Sequence, residues 1–267
     1  MKRSILFILV LFIVHANYLM AADDSFNTTI DSIWYVSWGG SNVNVEGAWR
    51  SGDIVIPSSI TYNGKSYTVN RINGLIHWNR KSSSTVTSIT IPSTISSIES
   101  GAFGQSTALT AIKVDPANQW FTSDDGILYN KDKTKLIYYP CKKDASHFTI
   151  PSSVTTLGGE AFSHNETLTS IVIPKNVTKL EGGNDYYKYG MFYGCNKLTY
   201  LEFENSSNYT VIPSAFLAYC SSLTSFDFPE KVTIIGAGAF LGCSSLTSIE
   251  IPESVTDIVD RAFRNCI

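Results

Sequence analysis

Apolar positions in this chain follow one ordered pattern that returns along most of its length. Residues 243 to 263 give the clearest copy: Leu246, Ile249 and Ile251, then Pro252, then Val255 and Ile258, then Ala262-Phe263, with polar residues between them. Ile249 and Ile251 point one way and Glu250 the other, as a short strand requires. Pro252 ends that strand. Val255-Thr256-x-Ile258 predicts a second short extended run, and Ala262-Phe263 a compact helical or 3₁₀ turn that carries its aromatic ring inward.

The same order is legible from Val86 (Ile89, Ile91, Pro92, Ile95, Ile98), from Phe148, from Leu168 and from Leu223. Phe103, Phe162, Phe192, Phe216, Phe240 and Phe263 mark its frame, and the last three steps are 24, 24 and 23 residues. Such a period predicts a solenoid. One coil cannot bury its own apolar side, whereas stacked coils join their Ile, Val and Phe columns into a continuous core with parallel strands between neighbours. The expected class is α/β, β-rich: a parallel-strand solenoid with short helical or 3₁₀ turns and an N-terminal β-hairpin cap.

The Leu-x-x-Ile-x-Ile strand followed by Val-Thr-x-Ile resembles the leucine-rich repeats of the BspA-like surface protein family, over roughly residues 50 to 267. Gly52 to Pro57, Thr61 to Lys65 and Asp125 to Thr134 are also similar to that family. The chain departs from the commoner leucine-rich repeat where a buried Asn ladder would stand, since Thr94, Ser153, Asn176, Lys231 and Ser254 fill that position. The resemblance implies a secreted or cell-surface protein engaged in adhesion or host interaction, and it implies no reaction.

Other segments break the period. Residues 1–22 read as an export signal, with Lys2 and Arg3 before the apolar run Ile5 to Val14 and cleavage after Ala21 or Ala22. That run is too short to cross a bilayer, and no second one supplies a transmembrane anchor. Residues 23–53 predict a β cap built on Ile33 to Val36 and Val43 to Val45, leaving 54–267 as the solenoid. Two inserts interrupt it, a hairpin at 115–147 and a Tyr-rich loop at 181–190. The pattern stops at Cys266-Ile267 before its next strand. Either the chain is truncated there, or its final edge is covered, for instance by end-to-end self-association.

Net charge is −3 and only 16% of the 267 residues are charged, so the clustered basic face that nucleic acid needs is absent. Cys195, Cys220, Cys243 and Cys266 share one repeat position. Stacked in register they stand close enough to bridge, but parallel Cβ vectors favour free buried thiols. No CxxC pair points to a metal. Gly236 to Gly242 imitates a dinucleotide loop but coincides with the repeat turn, and Asn130-x-Asp132-x-Thr134 lacks the Gly and Glu of a calcium loop. No cofactor is expected, and no nucleophile, base and acid recur at a suggestive spacing.

Two surfaces remain as candidates for a protein or glycan ligand. One is the outward strand column Thr90, Lys113, Thr149, Val172, Glu202, Asp227 and Glu250, flanked by Thr87, Thr110, Thr169, Thr199, Thr224 and Thr247. The other combines the hairpin insert with Tyr186, Tyr187 and Tyr189. Rival readings are a structural spacer that binds nothing, or an accessory part of a carbohydrate-active or proteolytic enzyme. A pocket joining acids, or Ser and His, would favour the enzyme.

Overall fold

The computed structural model describes residues 25–48, 51–75, 85–104, 106–182, 189–204 and 209–266. The expected export signal at 1–22 lies outside them. The chain opens with an antiparallel meander of β1 (Ser25–Ile30), β2 (Ile33–Trp38) and β3 (Asn42–Ala48). The predicted hairpin is its β2–β3 half. A parallel pairing with β6 joins this meander to the coils. Next come β4 (Gly52–Val55), β5 (Ser59–Tyr62) and β6 (Lys65–Ile72). The β5–β6 hairpin turns on Asn63-Gly64, both at positive φ (51° and 76°), the turn whose twist suits paired strands.

The coils then follow as β7 (Val86–Ile91), β8 (Ser97–Ile98), β9 (Ala111–Val114), β10 (Phe121–Asp124), β11 (Ile127–Asn130), β12 (Lys135–Tyr138) and β13 (His147–Thr149). They continue as β14 (Thr156–Leu157), β15 (Ser170–Ile173), β16 (Lys179–Leu180), β17 (Tyr200–Phe203), β18 (Val211–Ile212), β19 (Ile234–Ile235) and β20 (Asp257–Ile258). The longer strands form a front face of two parallel sheets, β4-β7-β9 and β13-β15-β17. The return face is formed by β6 with β8, then β12-β14-β16, then β18-β19-β20, and all of these but β6 and β12 are two residues long. This is a β-rich solenoid.

The expected helical or 3₁₀ turn takes the 3₁₀-type form. Among the described residues no α-helix forms; each aromatic turn is a chain of i→i+3 bonds, such as Ala161 N to Gly158 O and Ser163 N to Glu160 O, both 3.1 Å. The reason lies in where the N–H groups go. Phe162 N donates to Met191 O at 2.9 Å and Phe240 N to Ala262 O at 2.8 Å, so the next coil takes the donors a helix would use internally.

These contacts also correct the frame. Phe192 N donates to Phe216 O, whereas Leu217 N donates to Ala239 O, so Leu217 holds the position of Phe192 and Phe240 while Phe216 sits one residue early. Phe216 remains fully buried against Phe192, with ring centroids 5.4 Å apart.

The hairpin insert is not a free appendage. Leu128 and Tyr138 belong to the core that runs from the cap, whereas Ile127, Tyr129, Leu136 and Tyr139 belong to the core that runs to Ala262. With period 2, a strand buried on both faces seals two cores at once. This removes β11 from the expected composite binding surface, while Lys135 and Ile137 keep the other face of β12 partly exposed.

Small polar groups tie coil to coil inside. At the position expected to lack an Asn ladder, Thr94 Oγ1 donates to Val69 O (2.6 Å), Asn176 Nδ2 to Val154 O (2.5 Å) and Ser254 Oγ to Val232 O (2.7 Å). The ladder therefore exists with mixed residues. In the aromatic turn, the thiols of Cys195, Cys220, Cys243 and Cys266 donate to Phe162 O, Phe192 O, Leu217 O and Phe240 O at 3.1 to 3.2 Å. All five cysteines are free, four of them buried and Cys266 partly so. Burial pushes the Cys141 and Cys243 thiols up to about 12.

Two outcomes are expected. Phe240→Ala should cost about 3 to 5 kcal/mol in urea unfolding, and Glu250→Ala less than about 0.5 kcal/mol; equal costs would mean the register is misplaced. A thiol reagent at pH 8 should modify Cys266 at most while the protein is folded, and all five cysteines after denaturation. Missing thiols after denaturation would show bridging.

Candidate functional site

Front-strand alternation turns Ile54, Ile89 and Ile112 inward, and their neighbours outward. Register then aligns Val55, Thr90 and Lys113 across β4-β7-β9, and Thr149, Val172 and Glu202 across β13-β15-β17. Lys113, Thr149, Glu202, Asp227 and Glu250 are exposed, Val172 is 42% exposed, and Thr90 is half-buried.

The column expected to be continuous is cut twice. Between Lys113 and Thr149 the hairpin intervenes: Ile112 N donates to Gly126 O at 2.8 Å, so β9 meets the insert instead of β13. Gly126 permits this approach, since a Cβ there would stand 2.9 Å from Ala111 Cβ. Beyond β17, the segments carrying Asp227 and Glu250 form no strand. Phe226 and Phe228 stand there beside Phe203 and Phe240, with centroids 4.9 to 6.1 Å apart. Edge-on rings need more than the ~4.8 Å strand spacing.

The flanking threonines are largely architectural. Thr110, Thr169 and Thr199 each donate a hydroxyl to the preceding coil, at Thr87 O, Ser146 O and Thr169 O (2.9, 3.2 and 2.9 Å). The two ends of the face differ in charge. At one end, Asp53 accepts from Ser88 Oγ (2.7 Å) and Thr87 Oγ1 (3.0 Å), and these bonds, with Lys113 nearby, hold its carboxyl below the usual range. At the other end, Tyr200 donates to Glu202 Oε2 at 3.2 Å. Partial desolvation, that bond and the charges of Glu202 and Asp227 push the Tyr200 phenol up. Asp53 and Tyr200 were missed from sequence because only cross-strand register brings them to the column.

The tyrosine insert is described only at its end. Tyr186 and Tyr187 lie outside the described residues. Tyr189 is half-buried, its ring 5.1 Å from His164 and 4.7 Å from Tyr193.

His147 Nδ1 and Ser170 Oγ lie 2.9 Å apart across β13–β15, in a recess of about 320 Å³ that Glu204 also lines. This is the pairing that would favour an enzyme. Ser170 is in register with Tyr200, and Glu204 lies four residues further along, ~13 Å at strand rise. Glu204 therefore cannot orient the imidazole as a triad acid must. Among the described residues no three His, Cys, Asp or Glu side chains form a metal cluster, and no helix is long and apolar enough to cross a membrane.

Because the Asp53 pKa is lowered by folding, its contribution to stability is present above the unfolded carboxylate range, ~4, and is lost as pH falls through the folded value. Asp53→Asn should therefore unfold more easily than wild type at neutral pH, with the gap closing at acid pH. A gap that persists below pH 3 would refute the hydrogen-bonded carboxylate.

Comparison with known proteins supplies the context. The chain resembles a leucine rich cell surface protein of Faecalibacterium prausnitzii A2-165, at 21% identity and TM-score 0.58, covering 91% of this chain and 93% of that one. It also resembles a leucine-rich repeat protein of Eubacterium ventriosum ATCC 27560, at 20% identity and TM-score 0.52, covering 91% and 95%. At these identities the likeness is one of fold. No curated protein matches. The BspA type leucine rich repeat region matches in six copies, over residues 81–181 and 135–267. The chain belongs to the BspA-type leucine-rich repeat family.

Proposed function

We propose that this protein is an exported interaction module that adheres through its front face to a protein ligand on another cell or in the surrounding matrix. In this reading residues 1–22 are a cleaved export signal, 23–53 a cap and 54–267 the recognition solenoid. One observation carries the proposal: strand register aligns Thr149, the exposed Val172 and Glu202 in one outward column across β13-β15-β17. Family membership, among leucine-rich repeat surface proteins, supports an interaction role.

A surface of this kind favours a partner that is basic where it meets Glu202 and Asp227 and apolar where it meets Val172. Charge complementarity of that sort speeds and orients docking, and salt weakens it. The ordered front strands keep the column rigid, so binding orders few groups.

The test is capture of immobilised matrix proteins by the exported chain, with a glycan array in parallel. Glu202→Lys, Asp227→Lys and Glu250→Lys combined should reduce capture at least about tenfold without moving the melting temperature, and raised salt should mimic the change. Capture indifferent to all three substitutions would exclude this face. No capture of any ligand would leave the spacer reading in its place.

A further inference from the structure

The return ladder breaks between β16 and β18, and Pro213 stands at the break. After β8, β14, β16, β19 and β20, one N–H donates to the preceding coil: Glu99 to Ile72 O, Gly158 to Leu136 O, Glu181 to Leu157 O, Gly236 to Ile212 O and Val259 to Ile235 O, all at 2.9 to 3.0 Å. Pro213 holds that place after β18 and has no N–H to give. There β16 and β18 belong to separate sheets. In place of the ladder, Tyr209 reaches across with its hydroxyl to Val177 O at 2.6 Å.

At this break a groove of about 600 Å³ opens. It starts between Leu180 and Val211 and runs across three coils to Asp260 and Arg261. The small residues Ala215, Ala237 and Gly238 line it, together with Tyr193.

An aromatic strip runs through Tyr193. His164, Tyr189, Tyr193 and Tyr219 follow one another with ring centroids 5.1, 4.7 and 5.2 Å apart. His164 and Tyr219 have φ of 56° and 61°, at the turn position where Gly194 (71°) and Gly242 (72°) stand in the intervening coils. Asn265 (63°) holds the same position in the last coil, so the left-handed backbone belongs to the turn itself. Each ring lies over the glycine of the next coil: a Cβ on Gly194 would be 3.4 Å from His164, and one on Gly242 only 2.8 Å from Tyr219. Tyr219 is nonetheless 44% exposed, so burial does not explain its being there.

We propose that this groove and strip form a second binding site, for an extended, apolar-rich peptide segment of a partner protein. An oligosaccharide fits poorly, because its hydroxyls would face an alanine and glycine lining and lose water without gaining partners. The charged residues of its lining are one acid and one base at the far end, Asp260 and Arg261, paired at 3.1 Å, so the groove carries no net charge. A neutral segment is therefore the complementary occupant. Aliphatic side chains suit a groove lined by small residues, and tyrosines give large contact area at low entropic cost. The volume is that of an ordinary small-ligand site, ~300 to 1,000 Å³, and it lies on the turn and return faces, apart from the front column.

The experiment is selection of a displayed library of random linear peptides on the exported chain, followed by fluorescence binding of the enriched peptides. Ala237→Trp fills the groove without removing a main-chain bond, and Ser214→Trp obstructs the exposed rim as an independent block should the first variant fold poorly. Enriched peptides should carry apolar side chains, lose at least about tenfold in affinity with either block, and weaken with Tyr219→Gly, which also suits the left-handed turn. The triple front-face reversal should leave them bound, so this site and the front-face reading fail separately. Failure to enrich peptides, peptides indifferent to both blocks, or a glycan-array signal lost in Ala237→Trp would each overturn the proposal.

Discussion

The main-chain ladder between successive coils is the constraint on which the rest of this structure depends. A coil of about 23 residues bonds within itself only through the i→i+3 contacts of its turns, so the N–H groups of its strands must find carbonyls in an adjacent coil. The two sides of the coil solve this in opposite directions. Return-strand donors reach back to the preceding coil, as Gly236 N does to Ile212 O, while turn donors reach forward, as Phe240 N does to Ala262 O. Coils held from both sides cannot slide, which is why the apolar columns stay in register.

Close approach then dictates where side chains are forbidden. A Cβ on Gly190 would lie 2.0 Å from Ala215 O, and one on Gly236 2.6 Å from Ser214 N. Carbonyls the ladder leaves over are taken by small donors: Thr94, Asn118, Asn176 and Ser254 at the turn after the front strand, and four thiols in the aromatic turn. This accounts for a chain with few charges and many Ser and Thr. Their hydroxyls complete the internal hydrogen bonding that charged groups could not enter without desolvation cost.

A scaffold fixed by main chain leaves its outward positions free to vary. Lys113, Val172 and Glu202 share a repeat position and differ in chemistry without altering the strands beneath them. The breaks in the ladder have a different character. Pro213 and the hairpin at 121–138 interrupt the return face at two points, and recesses lie at both, one lined by Ile98, Lys135 and Glu160, the other the tyrosine-edged groove. Regular coils give flat recognition surfaces, and irregular ones give concave sites.

Sequence alone determined the solenoid, its period, the inward Ile and Val columns and the outward register of most front residues, because alternation and a period near 23 are local properties. It also placed the cysteines on one ladder. It misassigned Phe216, since a one-residue slip leaves both Phe216 and Leu217 apolar and only the bonds of Phe192 N and Leu217 N distinguish them. It left the Ala-Phe turn as helical or 3₁₀, because nothing local reveals that the next coil captures the donors an α-helix would use. The hairpin at 127–138 looked like a surface insert, yet both faces of β11 are buried, since what covers a strand is decided by segments far away in sequence. The same holds for the strip of His164, Tyr193 and Tyr219: their spacing follows no single period, and stacking of three coils alone brings the rings within about 5 Å of one another.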